Sequence, residues 1–248
     1  MKITSVNNEL VKETAKLLQA KYREDSGLFL IEGEKGVSEA IQAGIELKRI
    51  FVLEGFSIES NTEIIETTEA VLSKISDAKS APKVIAVAIQ PNFSIEDFKG
   101  LKKVLLLENI KDAGNLGTII RTSTAFNVDG IVLYGNTVDL FNPKCVRSAV
   151  GNLWKLPIIK IKDFSLLKDL FNDFDRIATL PKGKDVIPLN NFNFGSKTLI
   201  MFGSEADGLS ENLKDFSTKN LTIEMNPNVE SLNLSISVGV VLYKMMSN

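Results

Sequence analysis

The sequence predicts an α/β protein made of two domains. Short apolar stretches alternate with helix-like stretches along most of the 248 residues, as expected for strands joined by helices. The stretch KVLLLENI at 103–110 is almost continuously apolar, which is typical of a strand covered on both faces of a parallel sheet. Pro91 and a polar connection precede this stretch. We therefore expect a small α/β domain at residues 1–95 and a parallel-sheet domain at residues 100–248.

Apolar spacing predicts the elements of the first domain. Leucines and alanines recur near helical spacing over residues 7–20, which predicts a helix. The helix predicted at 34–44 stops at Gly44, and the β-branched content of KVIAVAIQ at 83–90 predicts a buried strand. The other predicted elements are strands at 27–33, 47–55 and 63–68 and a helix at 68–76.

The second domain continues the alternation after its first strand at 103–110. The predicted helices lie at 115–126, 143–153, 165–174, 209–215 and 231–246. The predicted strands lie at 130–135, 156–161, 176–180, 198–203 and 221–225. Such an order favours a parallel sheet, in which the carboxyl ends of the strands gather ligands.

Composition excludes several classes of function. The chain has no histidine and a single cysteine, Cys145, so we expect no Ser-His-Asp site, no disulfide framework and no metal centre. The net charge is −2, which gives no global basic field for nucleic acid, although a local basic patch stays possible. We find no transmembrane run and no signal peptide. A cytoplasmic location is the default expectation.

Three stretches at strand ends could support chemistry. In DAGNLGTIIRTSTAF (112–126), Asn115 is a good N-cap residue, and Arg121 lies on a largely apolar helix that gains nothing from an unpaired charge. An anion or solvent must therefore meet Arg121. A capped helix with a surface arginine is the simpler interpretation.

The other two stretches also follow apolar strands. In TLIMFGSEADGLS (198–210), Gly203 permits a close approach or a tight turn, and Glu205 lies at the strand end. In IEMNPNVESLNLSISVGVVLYKM (223–245), a polar segment opens an apolar helix whose free N–H groups could bind an electron-rich group. Ordinary turns and caps explain each stretch alone equally well.

Taken in order, these stretches resemble the TrmH (SpoU) family of RNA 2′-O-ribose methyltransferases. The matching pieces are N109-x-x-D112-x-x-N115-x-G117-x-x-x-R121-T122, F202-G203-S204-E205-x-x-G208-L209, I223-x-M225 and E230-S231-L232-N233-L234-S235. The segment VRSAVGNLWKLPI (146–158) resembles a connecting segment of that family. The segment KYREDSGLFLIEGEKGVSEAI (21–41) resembles the L30e-like substrate-binding domain of many members.

The resemblance implies a SPOUT domain with a trefoil knot, S-adenosyl-L-methionine bound in the knot, and a homodimer formed through the knotted domain. It places cofactor contacts at Leu180, Gly203, Ile223, Met225 and Leu232. It places the catalytic set at Asn115, Arg121, Glu205, Ser231 and Asn233. Two positions depart from the family pattern: Glu224 stands where proline is usual, and Ala149 stands where serine is usual.

The resemblance also implies a role for RNA. Arg121 is expected to bind the phosphate beside the target ribose, since a guanidinium matches phosphate and hardly deprotonates. Lys21, Arg23 and Lys35 are expected to contact RNA phosphates from the first domain. We expect large-subunit (23S-type) ribosomal RNA as substrate rather than tRNA.

Alternatives from other classes remain at this point. A non-catalytic RNA-binding member is one, although all five residues of the catalytic set are present. A dinucleotide-binding oxidoreductase is another, but we find no Gly-x-Gly-x-x-Gly turn after a strand. Base methylation is conceivable, although the motifs favour ribose.

Overall fold

Residues 1–92 build a mixed five-stranded sheet with four helices. The structure is a computed structural model that describes residues 1–247. The elements of this part are β1 (Lys2–Ile3), α1 (Glu9–Lys16), α2 (Ala20–Ser26), β2 (Leu28–Glu32), α3 (Glu34–Gln42), β3 (Leu47–Leu53), β4 (Ile64–Thr67), α4 (Glu69–Lys74) and β5 (Val84–Ile89). The strand order is β1-β4-β3-β5-β2, with β5 antiparallel to both of its neighbours.

The start of the chain differs from the prediction of one helix over 7–20. The helix α1 ends at its C-cap Leu17, and Gln19 has extended backbone with ψ 135°. A second helix, α2, follows and ends at Gly27, whose φ of 66° suits glycine. Sequence periodicity missed this break because apolar residues continue at helical spacing across it.

Residues from 93 to 247 contain a second sheet of seven strands; its parallel arrangement confirms the prediction, whereas the short strand Ile187–Pro188 was not predicted from the sequence. After a 3₁₀ turn (Ile95–Phe98), the elements are β6 (Lys103–Glu108), α5 (Ala113–Ala125), β7 (Gly130–Tyr134), α6 (Pro143–Ala149), β8 (Ile158–Ile161), α7 (Phe164–Leu170), β9 (Asp175–Thr179), β10 (Ile187–Pro188), a 3₁₀ turn (Leu189–Asn191), β11 (Thr198–Phe202), α8 (Glu211–Phe216), β12 (Lys219–Thr222) and α9 (Leu234–Met246). The strand order is β10-β12-β9-β11-β6-β7-β8. Every pairing is parallel, so the carboxyl ends of all seven strands lie along one edge.

The division of the chain into two units is not a single boundary at residues 95–100, because one later segment belongs to the first unit. Residues 139–154, which include α6, pack with residues 1–92, while residues 93–138 and those from 155 onward form the other compact unit. The Phe141 ring lies 4.9 Å from the Phe29 ring, and Arg147 pairs with Glu32 and Asp77. The two units are called the first unit and the second unit below.

The C-terminal helix α9 starts later than the predicted residue 231. Asn233 caps it, because the Asn233 side chain accepts hydrogen bonds from the N–H groups of Ser235 and Ile236. Glu230 and Ser231 therefore lie in the loop before the helix. Within residues 1–247, no helix combines the length and the apolar character needed to cross a membrane.

Candidate active site

The carboxyl ends of three neighbouring strands of the second unit surround a cavity of about 220 Å³. The strands are β9, β11 and β12, and the segment leading into α9 closes the cavity. The cavity is lined by all five residues predicted to bind the cofactor, namely Leu180, Gly203, Ile223, Met225 and Leu232. The fold therefore brings these five residues together at one cavity. Their role in binding the cofactor remains a prediction.

A tight loop after β11 positions Glu205 at this cavity. Ser204 and Gly208 pair across the loop. A Cβ atom on Gly203 would lie 2.0 Å from the Gly208 carbonyl carbon, closer than any non-bonded pair of carbons allows. Glycine at 203 is therefore required by the loop's own backbone. The loop projects Glu205 as an exposed carboxylate.

The start of α5 corrects one prediction. Asp112, not Asn115, is the N-cap residue, and its carboxylate accepts a hydrogen bond of 2.8 Å from the Asn115 N–H. Aspartate and asparagine are equally good caps, and the helix begins at Ala113, two residues earlier than predicted. Asn115 lies in the first turn, and its side chain amide is free to bond elsewhere.

Three residues of the predicted catalytic set form a chain of hydrogen bonds. The Asn115 Nδ2 donates to Glu205 Oε1 at 2.5 Å, and the Asn233 Nδ2 donates to Asn115 Oδ1 at 3.0 Å. The Asn233 Oδ1 accepts from the Ser235 N–H at 2.9 Å. Each amide must therefore point its NH₂ group toward the next acceptor, which fixes both orientations. The result is an oriented carboxylate beside the cavity.

The other two members of the predicted set lie outside this chain. Ser231 lines the cavity and is exposed. Arg121 is exposed on α5, about a third of a turn around the helix axis from Asn115. No hydrogen bond or ion pair joins the Arg121 guanidinium to another residue in the described part of the chain. This cation is therefore available to an anion from outside.

The predicted RNA contacts of the first unit need one correction. Arg23 is 2% exposed. Its Nη2 lies 2.6 Å from Asp139 Oδ2, and its Nη1 donates to the Leu17 carbonyl at 2.6 Å. A guanidinium satisfied in this way cannot reach a phosphate, so the predicted role of Arg23 in RNA binding is wrong. Lys21 and Lys35 are exposed, and their role stays a prediction.

Sequence reasoning assigned no role to two further residues of the site. Asp112 belongs to the quoted motif, and an aspartate three residues before a helical polar side chain is a recognisable cap signal. Glu230 also belongs to a quoted motif and lines the cavity. Both could have been singled out from the sequence.

The lining of the cavity suits a cationic, partly apolar ligand. Glu205 and Glu230 supply carboxylates, while the leucine, isoleucine and methionine side chains supply apolar surface. The part of the lining that the structure describes contains no lysine or arginine. A sulfonium compound with an aromatic base, such as S-adenosylmethionine, fits this set of groups. Among residues 1–247, no cluster of three or more histidine, cysteine, aspartate or glutamate side chains could hold a metal ion.

Comparison with solved structures agrees with this description of the fold. A crystal structure of an RNA 2′-O ribose methyltransferase superposes with a TM-score of 0.87 at 29% identity, covering 100% of this chain and 98% of the other. The AdoMet-bound rRNA methyltransferase of Sinorhizobium meliloti superposes with a TM-score of 0.88 at 25% identity, covering 100% and 97%.

Sequence comparison gives relatives of similar length. An uncharacterized tRNA/rRNA methyltransferase of Synechocystis is 32% identical over 98% of this chain and 92% of its own length. The 23S rRNA (guanosine(2553)-2′-O)-methyltransferase RlmP of Bacillus subtilis is 30% identical over 97% of both chains. Residues 8–86 match the MRM3-like substrate binding domain. Residues 102–243 match the SpoU rRNA Methylase family, to which this chain therefore belongs.

Proposed function

We propose that this protein transfers a methyl group from S-adenosylmethionine to a ribose 2′-hydroxyl of large-subunit ribosomal RNA. The observation that carries the proposal is the chain of hydrogen bonds from Glu205 through Asn115 to Asn233 beside the cavity. It holds polar groups in fixed orientations at the edge of a cavity suited to a sulfonium. Methyl transfer needs such positioning, because it is an in-line displacement with strict geometry.

The residues of the site have different roles in the proposed reaction. S-adenosylmethionine supplies an electrophilic methyl group when it is bound. The exposed Glu205 carboxylate, held by Asn115, is placed to accept a hydrogen bond from a ribose hydroxyl. Ser231 contributes a second polar group at the same cavity. These contacts orient the 2′-oxygen toward the cavity, and such orientation lowers the barrier to methyl transfer.

Arg121 has a separate role in the proposal. Its exposed guanidinium has no acceptor within residues 1–247. A phosphate of the bound RNA provides one, because a guanidinium binds phosphate through two parallel hydrogen bonds. Charge that develops on the 2′-oxygen is also stabilised by a fixed cation nearby.

The choice of ribosomal RNA rests on the relatives. RlmP of Bacillus subtilis is a 23S rRNA 2′-O-methyltransferase by name, and so are the relatives from Streptomyces viridochromogenes and Streptomyces laurentii. The match of residues 8–86 to a substrate binding domain supports RNA binding by the first unit. Lys21 and Lys35 are exposed there for phosphate contacts. A cytoplasmic location belongs to the same proposal.

A homodimer through the second unit is also part of the proposal, together with the trefoil knot that the resemblance implies. Ile236, Val240, Tyr243 and Met246 are exposed on α9. Their spacing of four, three and three residues places them along one side of the helix. A continuous exposed apolar stripe of this kind marks an interaction surface. Sedimentation of the wild type and of Tyr243→Asp tests it: we expect a dimer and a monomer, and a monomeric wild type contradicts the dimer.

Methyl transfer to defined RNA tests the central proposal. The protein is incubated with labelled S-adenosylmethionine and with unmodified 23S rRNA, unmodified tRNA or large ribosomal subunits. We expect label in the rRNA or in the subunits, and we expect Glu205→Gln to lose it. Label in tRNA alone corrects the substrate. Cofactor binding without transfer to any of the three favours the non-catalytic RNA-binding alternative.

A further inference from the structure

The first unit contains a second cavity, of about 280 Å³. It lies between α1 and α2 on one side and the strands β2, β3 and β5 on the other. Leu17, Leu28 and Val87 provide apolar walls. Polar and charged side chains complete the lining.

Arg49 is the first unusual feature of this cavity. It lies on β3 directly opposite Val87 of β5, on the sheet face that packs against the apolar core of the first unit. Its Nε is fully buried and has no hydrogen-bond acceptor within the described residues. A buried N–H without an acceptor destabilises the fold. The Arg49 side chain as a whole is half-buried and lines the cavity, and no hydrogen bond or ion pair joins it to another described residue. A ligand in the cavity can therefore supply acceptors to its terminal N–H groups.

Two carboxylates line the same cavity. Glu13 comes from α1 and Asp25 from α2, and no hydrogen bond or ion pair joins either of them to Arg49 among the described residues. Lys16 also lines the cavity, so two cations balance two carboxylates and the lining has no excess positive charge for a simple phosphate. The arrangement instead suits a neutral ligand that presents acceptors on one edge and donors on another.

Guanine is the nucleobase with this pattern. Its O6 and N7 atoms are two adjacent acceptors that match a guanidinium. Its N1–H and N2–H₂ groups are adjacent donors that match a carboxylate. Adenine, cytosine and uracil lack one of these two edges.

An aromatic side chain lies at the same cavity. Tyr22 of α2 is partly exposed, and the Lys16 Nζ lies 5.7 Å from the centre of its ring. Unpaired bases of RNA stack on aromatic side chains and bond through their exposed edges. Lys21, the exposed neighbour of Tyr22, is available for the adjoining phosphate.

We propose that this cavity binds an unpaired guanine of the substrate RNA, with Arg49 reading its O6 and N7 atoms and Tyr22 stacking on its ring. The inference rests on the proposed RNA substrate and adds a base-specific contact outside the methyl-transfer site. It also accounts for an arginine on a core-facing position of a strand.

Binding of single nucleotides tests the inference without any methyl transfer. The full-length protein is first saturated with S-adenosylhomocysteine, so that the cofactor cavity is blocked. Dissociation constants are then measured for guanosine, adenosine, cytidine and uridine 5′-monophosphates. We expect the guanosine nucleotide to bind at least tenfold more tightly than the other three, since all four share the same phosphate.

Matched variants locate the binding. Tyr22→Ala and Arg49→Gln are each expected to weaken guanosine nucleotide binding about 5- to 150-fold, the usual range for a lost stacking contact or bidentate pair. Tyr22→Phe keeps the ring and should bind within twofold of wild type. Lys74→Gln, an exposed charge elsewhere in the first unit, should change nothing. Thermal unfolding of each variant checks that it is folded.

Equal binding of all four nucleotides would overturn the inference, as would guanosine binding that both Arg49→Gln and Tyr22→Ala leave intact. Failure here is distinct from failure of the proposed function. Wild type that methylates rRNA without binding the guanosine nucleotide contradicts the guanine site alone. Wild type that binds it without methylating any RNA supports the guanine site and contradicts the proposed function.

Discussion

Replacement of Gly203 by alanine should disable the site through backbone geometry. The added Cβ would lie 2.0 Å from the Gly208 carbonyl carbon and 2.3 Å from the Leu209 nitrogen. Both are backbone atoms, so no side chain can rotate away. Since carbon atoms pack no closer than about 3.5 Å, the loop must move by about 1.5 Å. The moving loop carries Glu205, so the hydrogen bond to Asn115 is lost.

The expected magnitudes follow from this displacement. Overpacking of this kind costs about 1–3 kcal/mol, which lowers the Tm of a chain of this size by about 2–12 °C. A misplacement of about 1 Å in a positioned group lowers kcat about 100-fold. Both quantities are measured on Gly203→Ala, by thermal unfolding and by methyl transfer to rRNA at saturating cofactor.

Gly183→Ala is the matched control. The nearest side-chain atom to its added Cβ would be the Val186 Cγ2 at 3.8 Å, an ordinary contact. We expect this variant to keep the wild-type Tm and kcat. A Gly203→Ala protein with wild-type Tm and kcat would refute the close approach of the loop and the positioning of Glu205.

Three further predictions concern single side chains. Arg121→Ala should abolish methyl transfer while the Kd for S-adenosylmethionine stays within twofold of wild type, because Arg121 is not among the residues lining the cavity. A large loss of cofactor affinity would contradict the position of Arg121 outside the cofactor cavity. Asn115→Asp places a carboxylate against Glu205 and should lower kcat more than tenfold. The control Asn220→Asp, outside the cavity, should leave kcat unchanged. Equal kcat values for the two variants would argue against the hydrogen-bond chain. Burial raises the pKa of Glu32 above its ordinary 4.5, although Ser76 and Arg147 oppose the shift. The folded state therefore holds this proton more tightly than the unfolded state does. As pH rises from 4.5 through the raised pKa, wild type should lose free energy of unfolding relative to Glu32→Gln. A difference in free energy of unfolding between the two proteins that does not vary with pH over that interval would contradict the raised pKa.

Local sequence signals predicted the parts of the site that depend on strand ends. Glu205, Asn115 and Asn233 each follow an apolar strand in the sequence. Since parallel strands end at one edge, such residues converge whatever the details of the loops. The sequence prediction placed the N-cap of α5 at Asn115 instead of Asp112, because aspartate and asparagine are equally good caps.

Contacts between distant residues could not be predicted. The sequence predicts that Arg23 contacts RNA, yet its ion-pair partner Asp139 lies 116 residues away in the chain. Nothing in the local pattern around Arg23 indicates that partner. The packing of residues 139–154 with the first unit is hidden for the same reason, since it depends on contacts such as that of Phe141 with Phe29.

The position of the transferred methyl group tests the account most directly. RNA labelled by the wild-type enzyme is hydrolysed completely with alkali, which cleaves only beside a free 2′-hydroxyl. We expect the label to elute in an alkali-resistant dinucleotide, because the methylated 2′-oxygen blocks cleavage at that position. Label in mononucleotides would mean methylation of a base and would contradict a site built to orient the ribose.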